Sequence, residues 1–158
     1  MICAYSDARA SSVFLVLFLA LVLLMPSAAR AEDMADAVGS VKTATGQAYV
    51  CRGTDRFSAK VGDHLFQGDT LVTAARSSMG VIFRDDTILS LGSGSEMVID
   101  EFAFDPSKES MKFLVRMGRG TAQFITGQMA KLSPENMHVE TPLSTIGIRG
   151  TRFLVKVD

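Results

Sequence analysis

The side chains that could carry chemistry are few and widely separated. Beyond the apolar N-terminal stretch the sequence has two histidines, His64 and His138, and one cysteine, Cys51. A zinc site needs four nitrogen or sulfur ligands, or three ligands and a water, at recognisable spacings. Three isolated residues do not supply such a set, so we expect no metal and no cofactor. Cys51 lies in an apolar run and is interpreted as a small buried hydrophobe. The alternative is a thiol available for intermolecular pairing.

Several aspartates lie beside glycines or beside one another. Gly62-Asp63 and Gly68-Asp69 could suggest calcium, but the spacing of a calcium-binding loop is absent. The simpler interpretation is a pair of turns, in which Asp accepts backbone N–H groups and Gly takes a positive φ. Asp85-Asp86 could form an acid–base couple, but adjacent turn carboxylates normally diverge, and we interpret them as solvated.

The motifs of nucleophilic and phosphate-binding enzymes are also missing. Gly92-Ser93-Gly94-Ser95 lacks the closing glycine of a nucleophile elbow. Gly118-Arg119-Gly120 lacks the strand–loop–helix frame of a phosphate site and is interpreted as a turn. A hydrolase would need a histidine that converges with a serine or an aspartate. We therefore predict that the chain is not an enzyme.

One basic pair, Arg149 and Arg152, is a candidate for partner contact. A guanidinium fork can bind a carboxylate in two places at once, so the pair could meet an acidic partner. The interpretation we favour is an internal salt bridge from this pair to an acidic loop such as Asp85-Asp86. The near-neutral net charge of −1 gives no reason to expect nucleic acid.

The elements that must position these residues are short strands. Apolar and polar residues alternate over short stretches, and Gly-rich turns recur about every 8–12 residues, which predicts an all-β domain. We expect a hairpin from Val38–Thr43 and Gln47–Cys51, and one helical turn within Gly127–Leu132. Phe153, Val155 and Val157 predict a closing strand with one buried face. Leu154 interrupts the polar side of that strand.

The N-terminus has the pattern of a secretory signal peptide. An uninterrupted run of 13 apolar residues, Val13–Met25, precedes Ala29-Arg30-Ala31, a small-x-small site. We expect a helical signal peptide over residues 1–31, with cleavage between Ala31 and Glu32. The alternative is an uncleaved anchor, but a span needs roughly 20 apolar residues. We therefore predict a leader over 32–37, a domain over 38–158 and no stable membrane span after cleavage.

Three stretches, in order, resemble motifs of the FecR domain. Val61–Thr73 resembles its doubled Gly-Asp signature, Phe83–Leu91 its F-x-D-G-[ST]-x-L-x-L hairpin with Asp86 in place of Gly, and Thr141–Phe153 its closing motif. The resemblance implies a compact β-solenoid or sandwich-like stack of short strands in the bacterial envelope, periplasmic or secreted. It also implies contact with an envelope protein, as a signalling or scaffold module.

FecR proteins proper carry a cytoplasmic anti-sigma segment before one membrane span. Met1–Ser12 is too short to form that segment, so we do not expect the sigma-factor circuit here. An adaptor that binds glycan or peptidoglycan is the alternative function, because FecR-like domains also occur beside wall-binding modules.

Overall fold

The computed structural model describes residues 36–148 and 150–158. The predicted signal peptide, its cleavage site at Ala31 and Glu32, and Arg149 lie outside the described residues. The strands are β1 Gly39–Thr45, β2 Ala48–Arg52, β3 Asp55–Ser58, β4 His64–Leu65, β5 Thr70–Thr73, β6 Ser78–Phe83, β7 Ile88–Leu91, β8 Glu96–Asp105, β9 Ser110–Ile125, β10 Met137–Glu140, β11 Thr145–Gly147 and β12 Arg152–Val157.

These strands form a curled sheet. Its main path runs β3-β2-β5-β8-β9-β7-β6-β1-β4, with β10, β11 and β12 attached beside β9. Each pairing among the described strands is antiparallel except that of β9 with β10. The prediction of an all-β domain is confirmed, and its form is a curled antiparallel sheet. Within the described residues no helix is long and apolar enough to cross a membrane.

Strand β9 joins the two halves of the sheet. Its first part pairs with β8 and β10, and its last part pairs with β7 and β12. The interpretation of Gly118-Arg119-Gly120 as a turn was wrong, because the strand continues through it. Gly120 has a φ of +93°, and a Cβ there would collide with Ser95. A glycine is therefore needed for the strand to pass from one half to the other.

The hairpin expected between the first two strands is also absent. β1 pairs with β4 and β6, whereas β2 pairs with β3 and β5. The chain turns a corner between the two halves at Gly46, whose φ is +71°. The Gln47 backbone N–H donates to Ser77 Oγ over 2.9 Å and fixes this corner. Corners and hairpins use the same turn residues, so the sequence pattern did not separate them.

The core lies between the halves and contains a chain of phenylalanine rings. Phe83 of β6 contacts Phe102 of β8 and Phe113 of β9, with ring centroids 5.6 and 5.0 Å apart. Phe124 continues the chain and stacks on Phe153 of β12 at 4.8 Å. Aromatic pairs of this kind add to the stabilisation from apolar burial. The closing strand is therefore attached to the core through Phe153, which is itself only half-buried.

Two further expectations concern local structure. The helical turn is confirmed as α1, Met129–Leu132, which ends before Pro134. The hairpin at Asp85-Asp86 is confirmed between β6 and β7. Asp86 has a φ of +67°, the conformation for which glycine is favoured. The aspartate therefore fills the place of the glycine in the family motif.

Candidate protein-binding surface

The residues that could have carried catalysis lie on different strands. His64 is exposed in β4, His138 is half-buried in β10, and Cys51 is half-buried in β2. Cys51 was expected to be a buried hydrophobe, but it alternates with the buried Ala48 and Val50 and so lies on the outer face. Across residues 36–148 and 150–158, no group of three or more His, Cys, Asp or Glu could hold a metal ion.

The Gly-Asp pairs build turns, as predicted. Gly62 and Gly68 have φ values of +95° and +87°. Asp63 accepts the Lys60 backbone N–H over 2.7 Å, and Asp69 accepts that of Phe66 over 2.9 Å. Asp69 is fully buried and also binds Arg52, a partner that the sequence pattern did not reveal.

The interpretation of Asp85 as a solvated turn residue was wrong. Its side chain is fully buried and accepts the Thr87 hydroxyl over 2.6 Å and the Thr87 backbone N–H over 3.2 Å. The Thr87 hydroxyl in turn accepts the backbone N–H of Gly127 over 3.0 Å. The exposed Asp86 accepts the side-chain amide of Gln128 over 2.7 Å. The two carboxylates therefore fasten the β6–β7 hairpin to the segment after β9.

Arg152 lies exposed at the start of β12, opposite Ile125 of β9. The ion pairs of the described residues do not include Arg152, so the expected salt bridge from Arg152 to Asp85-Asp86 is not present there. Its expected companion Arg149 is outside the described part of the chain. The role of this pair in partner contact stays a prediction.

A row of charges crosses the outer face of β8, β9 and β10. Arg116 lies 3.1 Å from Asp100 and 3.6 Å from Glu140. Burial raises the pKa of the Asp100 carboxyl above its ordinary 3.8, Arg116 opposes that shift, and Glu140 and Glu101 add to it. Among the described residues, the buried Oδ2 atom of Asp100 has no hydrogen-bond partner. The ion pairs of this row join β8 and β10 to β9.

Among the described residues, the large hydrophobic side chain with the highest exposed fraction lies in the turn that joins β10 to β11. The Thr141 backbone N–H donates to Ser144 O over 2.8 Å, and the Ser144 backbone N–H donates to Thr141 Oγ1 over 3.0 Å. Pro142 fixes its own φ within the turn. Leu143 projects from this braced turn and is 97% exposed. An isolated exposed leucine is ordinary, so its surroundings decide whether it matters.

Those surroundings form a groove, here called the C-terminal groove. It has a volume of about 620 Å³ and is lined by Thr141, Pro142, Leu143, Ser144, Ile146, Leu154, Val155, Lys156, Val157 and Asp158. Leu154, on the outer face of β12, is 64% exposed. The groove therefore has an apolar residue on each side, one from a turn and one from a strand.

The strand side of the groove is a sheet edge. β12 pairs with β9 alone among the described strands, in an unbroken register from Arg152 opposite Ile125 to Val157 opposite Gly120. The backbone N–H and C=O groups on its other side can therefore pair with an added strand. A braced apolar turn beside an open edge suits binding of an extended segment of protein, in which the backbone supplies affinity and side-chain contacts supply specificity.

Sequence reasoning found this surface only in part. The alternation in β12 is confirmed, since Val155 is buried while Arg152, Leu154 and Lys156 are exposed. The sequence signal for this surface was Leu154, an apolar residue on the otherwise polar side of β12. No sequence signal pointed to Leu143, because the sequence does not reveal that a leucine between two turn residues is exposed.

Fold and surface together define an all-β domain with an open C-terminal edge. The chain belongs to the FecR family: the family model described as FecR protein matches residues 69–158. That match includes β5 to β12 and all residues of the C-terminal groove. Comparisons with curated proteins and with solved structures returned no match.

Proposed function

We propose that this FecR-family chain is an exported, non-enzymatic protein of the bacterial envelope that binds another protein through the C-terminal groove. The family supports a signalling or regulatory role. The observation that carries the proposal is Leu143, 97% exposed on a hydrogen-bonded turn beside the free edge of β12. Exposing apolar surface at a braced position favours a partner that covers it.

The proposed location rests on the N-terminal sequence. The apolar run and the Ala29-Arg30-Ala31 site predict export and cleavage before Glu32. N-terminal sequencing of the protein recovered from the periplasm or medium should begin at Glu32. Recovery of a membrane-bound form that keeps Met1 would contradict this part of the proposal.

The protein partner is tested by crosslinking in cells. A photo-crosslinking amino acid at position 143 or 154 should yield adducts to protein, because both positions border the groove. The same amino acid at position 108, in the exposed turn between β8 and β9, is the matched control. Equal adducts from all three positions, or none, would contradict the proposal.

Peptidoglycan binding is separated by a second measurement. Sugar sites commonly use the face of an aromatic ring as a platform. One face of the Tyr49 ring is covered by Arg56, whose guanidinium lies 3.9 Å from the ring centroid. We expect the purified protein to stay in solution when isolated cell wall is sedimented. Cosedimentation that survives Leu143→Asp would favour the glycan-binding alternative over the groove.

A further inference from the structure

We propose that the strand that fills the C-terminal groove is β12 of a second copy of this chain, paired antiparallel about a two-fold axis. This inference rests on the proposed function, because it uses the same edge and the same groove. Exposed edges are commonly protected by proline, by a bulge, by a very short strand or by charged side chains such as lysine. β12 has six residues, Arg152–Val157, with no proline and no break in register against β9.

The sequence of β12 complements itself in one register. Residues directly opposite each other in an antiparallel pair project to the same face, so a two-fold axis normal to the sheet passes through a residue pair. With Val155 opposite the second copy's Val155, Arg152 lies opposite the second copy's Asp158. On the same outer face Leu154 lies opposite the second copy's Lys156, whose aliphatic stem can cover the leucine. Opposite charges across strands favour such pairing.

Neighbouring registers lack this match. With the axis at Leu154, Arg152 opposes the second copy's Lys156. With the axis at Lys156, two lysines oppose each other. Like charges placed directly opposite are destabilising. The arrangement centred on Val155 is therefore favoured by the order of charges along the strand.

The inner face of that arrangement is apolar. Phe153 would lie opposite the second copy's Val157, which continues the half-buried side of β12 across the axis. Leu143 and Leu154 border the groove that receives the added strand.

A short strand pair buries little area, so we expect weak, reversible association, with a dissociation constant on the order of micromolar.

Charge reversal tests the register. Arg152→Asp would place two carboxylates opposite each other at both ends of the pair, and Asp158→Arg would place two guanidinium groups there. Each single variant should raise the dimer dissociation constant about tenfold or more, because the two-fold axis places each substitution at both ends of the strand pair. The measurement is sedimentation equilibrium of the protein recovered after export. Lys131→Asp, an exposed charge reversal on α1, is the matched control and should leave the constant unchanged.

The double variant Arg152→Asp/Asp158→Arg restores both opposite-charge pairs and should restore dimerisation. A mixture of the two single variants should form a heterodimer, since each strand then meets its complement. If either single substitution acted by unfolding β12, combining the two substitutions would not restore dimerisation. A parent that stays monomeric to millimolar concentration, or a dimer indifferent to both single variants, would overturn the inference.

Failure of the self-pairing can be distinguished from failure of the proposed function. If the parent is monomeric while position 143 still crosslinks to a different protein, the self-pairing is wrong and the groove remains a protein-binding surface. If position 143 crosslinks to a second copy of this chain and the charge rescue succeeds, the inference is supported. If the parent is monomeric and position 143 yields no adduct, both proposals fail.

Discussion

The side chain of Arg52 binds both carboxylate oxygens of Asp69, with its Nε 2.8 Å from Oδ1 and a terminal nitrogen 2.8 Å from Oδ2. The same terminal nitrogen lies 3.1 Å from His64 O. The guanidinium also covers the Phe66 ring at 4.2 Å. Because Asp69 is fully buried and Arg52 is partly exposed, the arginine neutralises an otherwise costly buried charge and joins the β2–β3 hairpin to the turn before β5.

Arg52→Ala should therefore destabilise the domain by about 2–3 kcal/mol, since it leaves the Asp69 carboxylate buried without its cation. Arg52→Lys should lose less, because a lysine keeps the charge but cannot bind both oxygens in a planar fork. The measurement is the free energy of unfolding in denaturant. Arg56→Ala is the control, as it removes an exposed cation stacked on Tyr49, and it should cost no more than about 1 kcal/mol. Equal losses for Arg52→Ala and Arg56→Ala would contradict this role.

Asp100 gives a pH-dependent prediction. Its pKa is raised in the folded state by burial, so the folded protein holds the proton more tightly than the unfolded chain. Stability contributed by this group therefore falls as pH rises from below 3.8 through the folded-state pKa. Asp100→Asn removes that titration, so its free energy of unfolding should increase relative to the parent on going from acid to neutral pH. A difference between parent and variant that does not change with pH would contradict the assignment.

Asp105 gives a pH dependence of folding stability with the opposite sign to that of Asp100. The Ser107 side chain, followed by Lys108, lowers the pKa of Asp105 to about 2. A lowered pKa stabilises the folded state above the unfolded value of 3.8 and loses that effect as pH falls through about 2. Ser107→Ala should move the pKa of Asp105 upward, as measured by NMR titration of its carboxyl. Lys108→Ala should move it less, and an unchanged titration in Ser107→Ala would show that another group sets it.

The two aspartates at the β6–β7 turn show what the sequence could and could not predict. The hairpin followed from apolar alternation around polar turn residues. The burial of Asp85 did not, because its hydroxyl partner Thr87 is two residues away while the Gly127 that completes the network is distant in sequence. Local patterns predicted most strands and turns, whereas contacts between distant segments required the structure.

The same limit applies to the candidate surface. β12 and its inward residues were predictable from period-two alternation. That its outer edge is open depends on which strands pair with β9, and pairing is a property of the whole sheet. The missing β1–β2 hairpin has the same cause, since strand order is set by burial of both halves on a common core.

The attachment of β12 to the core can be tested through its stacked rings. Phe124 is fully buried, so Phe124→Ala should cost about 3–5 kcal/mol. Phe153 is half-buried against Phe124, so Phe153→Ala should cost less, about 2–3 kcal/mol. Lys108→Ala in the exposed turn is the control and should stay within about 0.5 kcal/mol of the parent. If Phe153→Ala unfolds at the same denaturant concentration as the parent, β12 does not stabilise the domain and the proposed edge is not fixed.

The entry into β12 depends on backbone conformation at Gly150, whose φ is +132°. Apart from its two chain neighbours, no described residue lies within 4 Å of a Cβ built at this position, so backbone strain is the main effect that opposes Gly150→Val. A β-branched residue is strongly disfavoured at positive φ, and we expect a loss of about 1–3 kcal/mol in the free energy of unfolding.

Gly147 is the matched control for this substitution. It is an exposed strand residue opposite His138, and its φ is not positive. A Cβ built there would also meet no described residue within 4 Å apart from its chain neighbours. Gly147→Val should therefore stay within about 0.5 kcal/mol of the parent. Equal denaturation midpoints for the two variants would show that the positive φ at Gly150 is not required for β12 to form.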